Sequence, residues 1–138
     1  MTQETRGMSR IRQWFDVSPF SQALGLRIAR LEAELCEMTM PFRPDLATLG
    51  DTVHGGAIAT LLDTAATVAS WSNAEVPEGA RGATVAMTVN YVAAGRGRDL
   101  TAVARVVRRT RSLCFCDVDV SDTDGALVAK GLVTYRIG

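Results

Sequence analysis

The chain has 138 residues, a length that fits one domain able to bury about two thirds of its unfolded surface. Fifteen basic residues balance fifteen acidic ones, which argues against a general nucleic-acid or membrane-surface binder and leaves a smaller anionic ligand open. The three cysteines, Cys36, Cys114 and Cys116, are odd in number and lack zinc-type spacing, so they read as reduced core thiols of a cytoplasmic protein with no metal site.

The N-terminal MTQETRGMSRIRQW carries charges but no apolar run of the kind an export signal needs. Ile11, Trp14 and Phe15 predict a short amphipathic helix. Ser18-Pro19 predicts the cap and first position of another, ending near Gly25, so helical structure is expected over about 8–24. Leu26 and Ile28, then Cys36, Met38 and Met40 alternating with Glu37 and Thr39, predict two short strands or one bent hairpin. Pro41, Pro44 and Gly50 bracket a loop over 42–53 whose length suits a binding role. Residues 52–74, TVHGGAIATLLDTAATVASWSNA, are the least polar long stretch; their Ala, Thr, Gly and Ser content and Asp63 predict a buried helix rather than a membrane span. Past Pro77 and Gly79, four strands are expected near 82–93, 98–109, 112–121 and 126–137. Val85, Met87 and Val89 alternate, as do Leu113, Phe115, Val118 and Val120 around a bulge. With Gly95-Arg96-Gly97 and Thr123-Asp124-Gly125 as turns, the four read as an antiparallel meander. The expected fold is a single α+β domain over 1–138, in which five or six antiparallel strands cover one long helix.

Asp63 is the only acid between Asp51 and Glu75. An unpaired carboxylate taken from water costs several kcal/mol, roughly, which makes Asp63 a candidate functional residue. On a helix it shares a face with Gly56, Ala59, Thr60, Ala66, Thr67 and Ser70, all small, whereas Ile58, Leu61, Leu62, Ala65, Val68 and Ala69 form the core face. The sole histidine, His54, precedes Asp63 by nine positions, about 180° of rotation and roughly 13 Å of rise. One chain therefore does not bring both to one small substrate. Two antiparallel helices related by a two-fold axis would set the His54-Gly55-Gly56 end of one beside Asp63 of the other. At that end Gly55 and Gly56 leave backbone N–H groups free, under the positive end of the helix dipole, to polarise a carbonyl.

His-Gly-Gly, an acid nine residues after the histidine, and the strand pattern together resemble the PaaI-type hotdog-fold acyl-CoA thioesterases of the 4-hydroxybenzoyl-CoA thioesterase-like superfamily. The likeness runs from PFSQALGLRI through GDTVHGGAIATLLDTAATVAS and TVAMTVNYVAAGRGRDL to GALVAKGLVTYRI. It implies a sheet wrapped around the central helix and two chains paired edge to edge, with active sites at their interface. The implied partners are an acyl-CoA substrate and a second copy of the chain, with a dimer of dimers a further expectation and no cofactor. Carried over, Gly55 is the oxyanion donor, Gly56 shapes the turn against the substrate, His54 orients the thioester, Asp63 of the partner is general base or nucleophile, and Thr84 holds water. Two positions depart from the pattern: Thr48 stands where many relatives place a substrate-binding Asn six residues before the histidine, and Asp51 where Gly is frequent. Arg96, Arg98, Arg108, Arg109 and Arg111 are candidates for coenzyme A phosphates on or near the later hairpin. The rivals to hydrolysis are a non-catalytic acyl-CoA binding module and a hotdog enoyl-CoA hydratase or dehydratase.

Overall fold

The computed structural model describes residues 3–75 and 78–138, so the expected break at Pro77 lies outside the described residues. Helix α1 (Arg6–Trp14) starts at Thr5, whose hydroxyl accepts from Met8 N at 3.0 Å and itself donates to Ser72 O. After one 3₁₀ turn, α2 (Pro19–Leu24) opens on proline and closes at Gly25 in the left-handed region, φ 69°. Strands β1 (Arg27–Glu32) and β2 (Leu35–Met40) form a hairpin. The 42–53 segment is more ordered than a loop: a 3₁₀ turn at Pro44–Leu46 leads into β3 (Ala47–Leu49) and β4 (Thr52–Val53), which pair with each other. There follow α3 (Gly55–Ser72), β5 (Gly82–Tyr91), β6 (Leu100–Arg109), β7 (Leu113–Asp122) and β8 (Leu127–Ile137).

Six strands form one antiparallel sheet in the order β1-β2-β6-β7-β8-β5. The expected four-strand meander is therefore corrected. β6, β7 and β8 are consecutive neighbours, but β5 lies beyond β8 at the sheet edge, and residues 92–99 cross back toward β2. Gly95-Arg96-Gly97 is part of that crossing and joins no hairpin; Val53 N donates to Gly95 O and Gly97 N to Asp51 O, both at 2.8 Å. The expected bulge also moves. Val106 faces Cys116 and Arg108 faces Phe115, so the extra residue is Val107 in β6. β7 then alternates without interruption from Leu113 to Val120, placing Cys114, Cys116, Val118 and Val120 inside and Leu113 and Phe115 on the outer face.

The inner face of the sheet packs on α3, whose Leu61, Leu62, Ala65, Val68 and Ala69 are fully buried with Met38, Leu100, Val118 and Val133. Each buried leucine contributes about 2 kcal/mol through the apolar area it removes from water. Contact is close enough that a Cβ on Gly131 of β8 would lie 2.8 Å from Leu62 Cδ1. One correction concerns the stripe around Asp63. Ala66 and Ser70 are wholly buried, because the sheet curls over the C-terminal half of the helix, and Ser70 Oγ satisfies itself on Ala66 O at 2.8 Å beside Cys116 Sγ. Among the described residues no helix is long and apolar enough to cross a membrane.

Candidate active site

The N-terminus of α3 is built by three neighbours. His54 is the N-cap; its backbone N–H donates to Leu46 O at 2.8 Å, which ties it to the end of the 3₁₀ turn that leads into β3, and its Nδ1 accepts from Gly56 N at 2.8 Å. A neutral imidazole that accepts at Nδ1 carries its proton on Nε2. Gly56 is required locally, since a Cβ there would stand 2.9 Å from His54 Nδ1. Gly55 differs. Its φ is not positive, and the nearest atoms an added Cβ would meet belong to the Tyr91 side chain, at an ordinary 3.4 Å. Glycine costs helix stability relative to alanine, and the chain's own packing gives no reason for one at position 55. Its N–H has no acceptor among the described residues.

Asp63 lies two turns along α3, half-buried, with Oδ1 accepting a hydrogen bond of 2.7 Å from Thr84 Oγ1. A second bulge sets up this contact. Thr84 faces Tyr135 while Ala86 faces Thr134, so Val85 is the extra residue in β5 and Thr84 turns inward onto the helix. Beside this pair the buried Tyr135 hydroxyl is pushed up chiefly by burial, against the hydrogen bond it receives from Trp71 Nε1 at 2.9 Å; the Asp63 carboxylate also raises it. Gly82 makes room, because a Cβ there would fall 2.3 Å from the Tyr135 oxygen.

Two groupings result within one chain: His54, Gly55 and Gly56 at the helix tip, and Asp63 with Thr84 further along. The eight-residue step from Gly55 to Asp63 is about 12 Å of helix rise, so one chain does not join them around one small group. Thr48 is exposed on β3 and outside the apolar pocket beside His54, which Phe20, Leu24, Leu46, Ala47 and Ala57 line. Tyr91 was not anticipated. Its hydroxyl donates to Gly55 O at 2.8 Å, and only the inward alternation Met87, Val89, Tyr91 along β5 signals it. The arginines also divide. Arg109 holds Glu34 through both carboxylate oxygens and donates to Ser70 O at 2.8 Å, a structural assignment that removes it from the coenzyme A candidates. Arg98 pairs with Asp124, and Arg96 Nη1 lies 4.0 Å from Asp51; Arg108 and Arg111 are exposed at the β6–β7 turn. Among the described residues no cluster of three or more His, Cys, Asp or Glu is arranged to hold a metal ion.

Residues 50–129, which contain the helix tip, Asp63 and Thr84, match the family model described as Thioesterase superfamily. The chain belongs to the thioesterase superfamily. Acyl-coenzyme A thioesterase 13 of Mus musculus is 32% identical over 143 residues that span 100% of this chain and 97% of that protein. The medium/long-chain acyl-CoA thioesterase YigI of Escherichia coli K12 is 26% identical over 133 residues, 87% of this chain and 86% of that one. Among solved structures, a thioesterase family protein from Silicibacter pomeroyi superimposes with a TM-score of 0.85 at 27% identity, covering 95% of this chain and 97% of that chain. The PaaI protein of the E. coli phenylacetic acid degradation operon gives 0.85 at 23% identity, with 96% and 94% covered, a likeness of fold. The six-stranded antiparallel sheet on a long central helix is thus the hotdog arrangement of this thioesterase family.

Proposed function

We propose that this thioesterase-superfamily chain hydrolyses an acyl-CoA thioester to a free carboxylic acid and coenzyme A, at centres that two copies of the chain build together. The observation that carries the reading is the Thr84–Asp63 hydrogen bond. It orients one carboxylate oxygen at 2.7 Å and leaves the other to take a proton from water. The thioester carbonyl then lies on the Gly55 N–H of the facing chain, steered by His54, with Gly56 shaping the turn. Water attacks the carbonyl carbon as its proton passes to Asp63, the Gly55 N–H stabilises the oxyanion, and collapse breaks the C–S bond. The departing thiolate takes the proton back from Asp63, so the enzyme ends as it began. Thr48, exposed on the hairpin, contributes at the entrance to the site in place of the amide side chain frequent in relatives.

The character of edge strand β5 supports pairing of two chains and with it the shared centre. This ten-residue edge strand, GATVAMTVNY, contains no charged residue, and its Val85, Met87 and Tyr91 are exposed at 54%, 38% and 52%. A long, uncharged, apolar edge is an aggregation liability unless another strand covers it. Two β5 strands meeting antiparallel about a two-fold axis continue the sheet and bring the two α3 helices side by side. For the acyl group, the apolar pocket beside His54 offers about 210 Å³, roughly seven water volumes. That suits a medium-length aliphatic chain better than a bulky or highly polar group, in line with the substrates named for YigI. A cytoplasmic setting belongs to the same reading and fits the three free, buried thiols.

An acyl-CoA panel with detection of released thiol tests the proposal. Wild-type chain releases thiol, and Asp63→Asn loses that activity while remaining folded. Unchanged turnover in the variant would remove Asp63 from the reaction.

A further inference from the structure

The peptide group between Gly55 and Gly56 is held at both ends. Its N–H donates to His54 Nδ1 at 2.8 Å, and its C=O accepts from the Tyr91 hydroxyl at 2.8 Å. An amide is planar, so bonds to its two opposite edges fix the orientation of the whole plane. The torsions that set this orientation, ψ of Gly55 and φ of Gly56, belong to glycines, which leave them soft unless something external restrains them. One restraint is local, two residues away. The other comes from the sheet edge, 36 residues further along the chain.

We infer that Tyr91 is a positioning residue for the reaction proposed above: its hydroxyl clamps the Gly55–Gly56 peptide so that the adjoining Gly55 N–H keeps the direction a developing oxyanion needs. The inference rests on the hydrolase reading. Tyr91 is well placed to act as a fixed point, because its backbone pairs with Ala129 of β8 and the next residue, Val92, donates to Val128 O at 2.9 Å. The ring lies against Gly55, within 3.4 Å of where a Cβ would stand, yet the side chain remains 52% exposed. Its hydroxyl therefore has little to contribute to the core. The restraint it places on the helix tip is its evident role. Because the strand that carries Tyr91 is also the uncharged edge, the same element that is proposed to recruit the second chain aligns the donor in the first.

Tyr91→Phe keeps the ring and removes only the clamp. Across the acyl-CoA panel, kcat is expected to fall about fivefold to tenfold for every chain length, with KM within about twofold and the melting temperature nearly unchanged. A purely structural role would instead lower the melting temperature and leave kcat per folded molecule intact. A readout independent of turnover accompanies this: in ¹⁵N-resolved spectra of Tyr91→Phe, the Gly56 amide proton shifts upfield and exchanges faster as its bond to His54 loosens. Unchanged kcat, or an unchanged Gly56 amide, would each overturn the inference. A wild-type chain that released thiol from no acyl-CoA would overturn the hydrolase reading itself, a result distinct from either.

Discussion

Alanine at the two adjacent glycines of the helix tip should shift stability in opposite directions. At Gly55 the backbone is compatible with any residue, and the new methyl meets the Tyr91 ring at 3.4 Å, ordinary van der Waals contact. Alanine is favoured over glycine in a helix by up to about 1 kcal/mol, so Gly55→Ala should raise the melting temperature by up to about 3–5 °C for a chain of this size. At Gly56 the methyl falls 2.9 Å from His54 Nδ1, which drives the imidazole off its bond. Losing that cap and accommodating the close contact together cost about 2 kcal/mol, more than the propensity gain of up to about 1 kcal/mol that alanine brings here as well, so Gly56→Ala should melt a few degrees lower. Turnover falls in both. In Gly55→Ala the methyl crowds the N–H proposed to hold the oxyanion, which has no acceptor among the described residues, and loss of a single such donor is worth about 3 kcal/mol, or a factor of about 10² in kcat. Thermal melts at one fixed protein concentration, with thiol release on the same samples, provide the comparison. A Gly55→Ala protein that is stabilised and fully active would refute the role of the Gly55 N–H, and one destabilised by more than about 1 kcal/mol would refute the packing described at that position.

Arg109→Met breaks the bidentate bond to Glu34, itself in the left-handed region at φ 69°, and frees the Ser70 carbonyl; a loss of about 2 kcal/mol is expected in denaturant melts, with kcat per folded molecule unchanged. Burial pushes the Cys36 thiol up to about 12 and Cys116 up to about 11, so both stay protonated in the folded chain at pH values where the unfolded chain ionises. Folded-state values raised above the ordinary 9.0 mean that stability is complete below about pH 9 and declines from there toward 11–12, and melts recorded across that window should fall less steeply in Cys36→Ala. Val85→Lys places a charge on the edge strand, and sedimentation is expected to show monomers with thiol release reduced at least about tenfold.

Much of the architecture could be read along the chain because local signals coincided. Apolar residues at helical spacing, opened by His-Gly-Gly, predicted the helix found at Gly55–Ser72, and Pro19 and Gly25 bracketed α2 as expected. The neighbour of β5 was not legible: Gly95-Arg96-Gly97 looks like a hairpin turn, whereas the pairing is decided by how the sheet closes around α3. Nor was the bulge at Val107, since the run Arg105-Val106-Val107-Arg108-Arg109 has no period of two that would reveal an inserted residue. That insertion turns Arg109 inward, where it reaches Glu34 and Ser70, and leaves Arg108 exposed. Within the site, Asp63 stood out as a lone carboxylate in an apolar helix, and Thr84 was reached through the family resemblance. Tyr91 gave only the inward alternation it shares with Met87 and Val89, which does not mark it out, because a tyrosine at the end of a strand has many ordinary uses and its bond to Gly55 O depends on tertiary approach.

The shared centre is tested most directly by mixing two inactive chains. Asp63→Asn lacks the proposed base and His54→Ala the ordered helix tip, so a mixed dimer contains one centre with both parts intact and one with neither. With random exchange at equal amounts, half the dimers are mixed and half their centres work, so about a quarter of wild-type thiol release should return. Verified exchange of subunits with no recovery would contradict a reaction centre built from two chains.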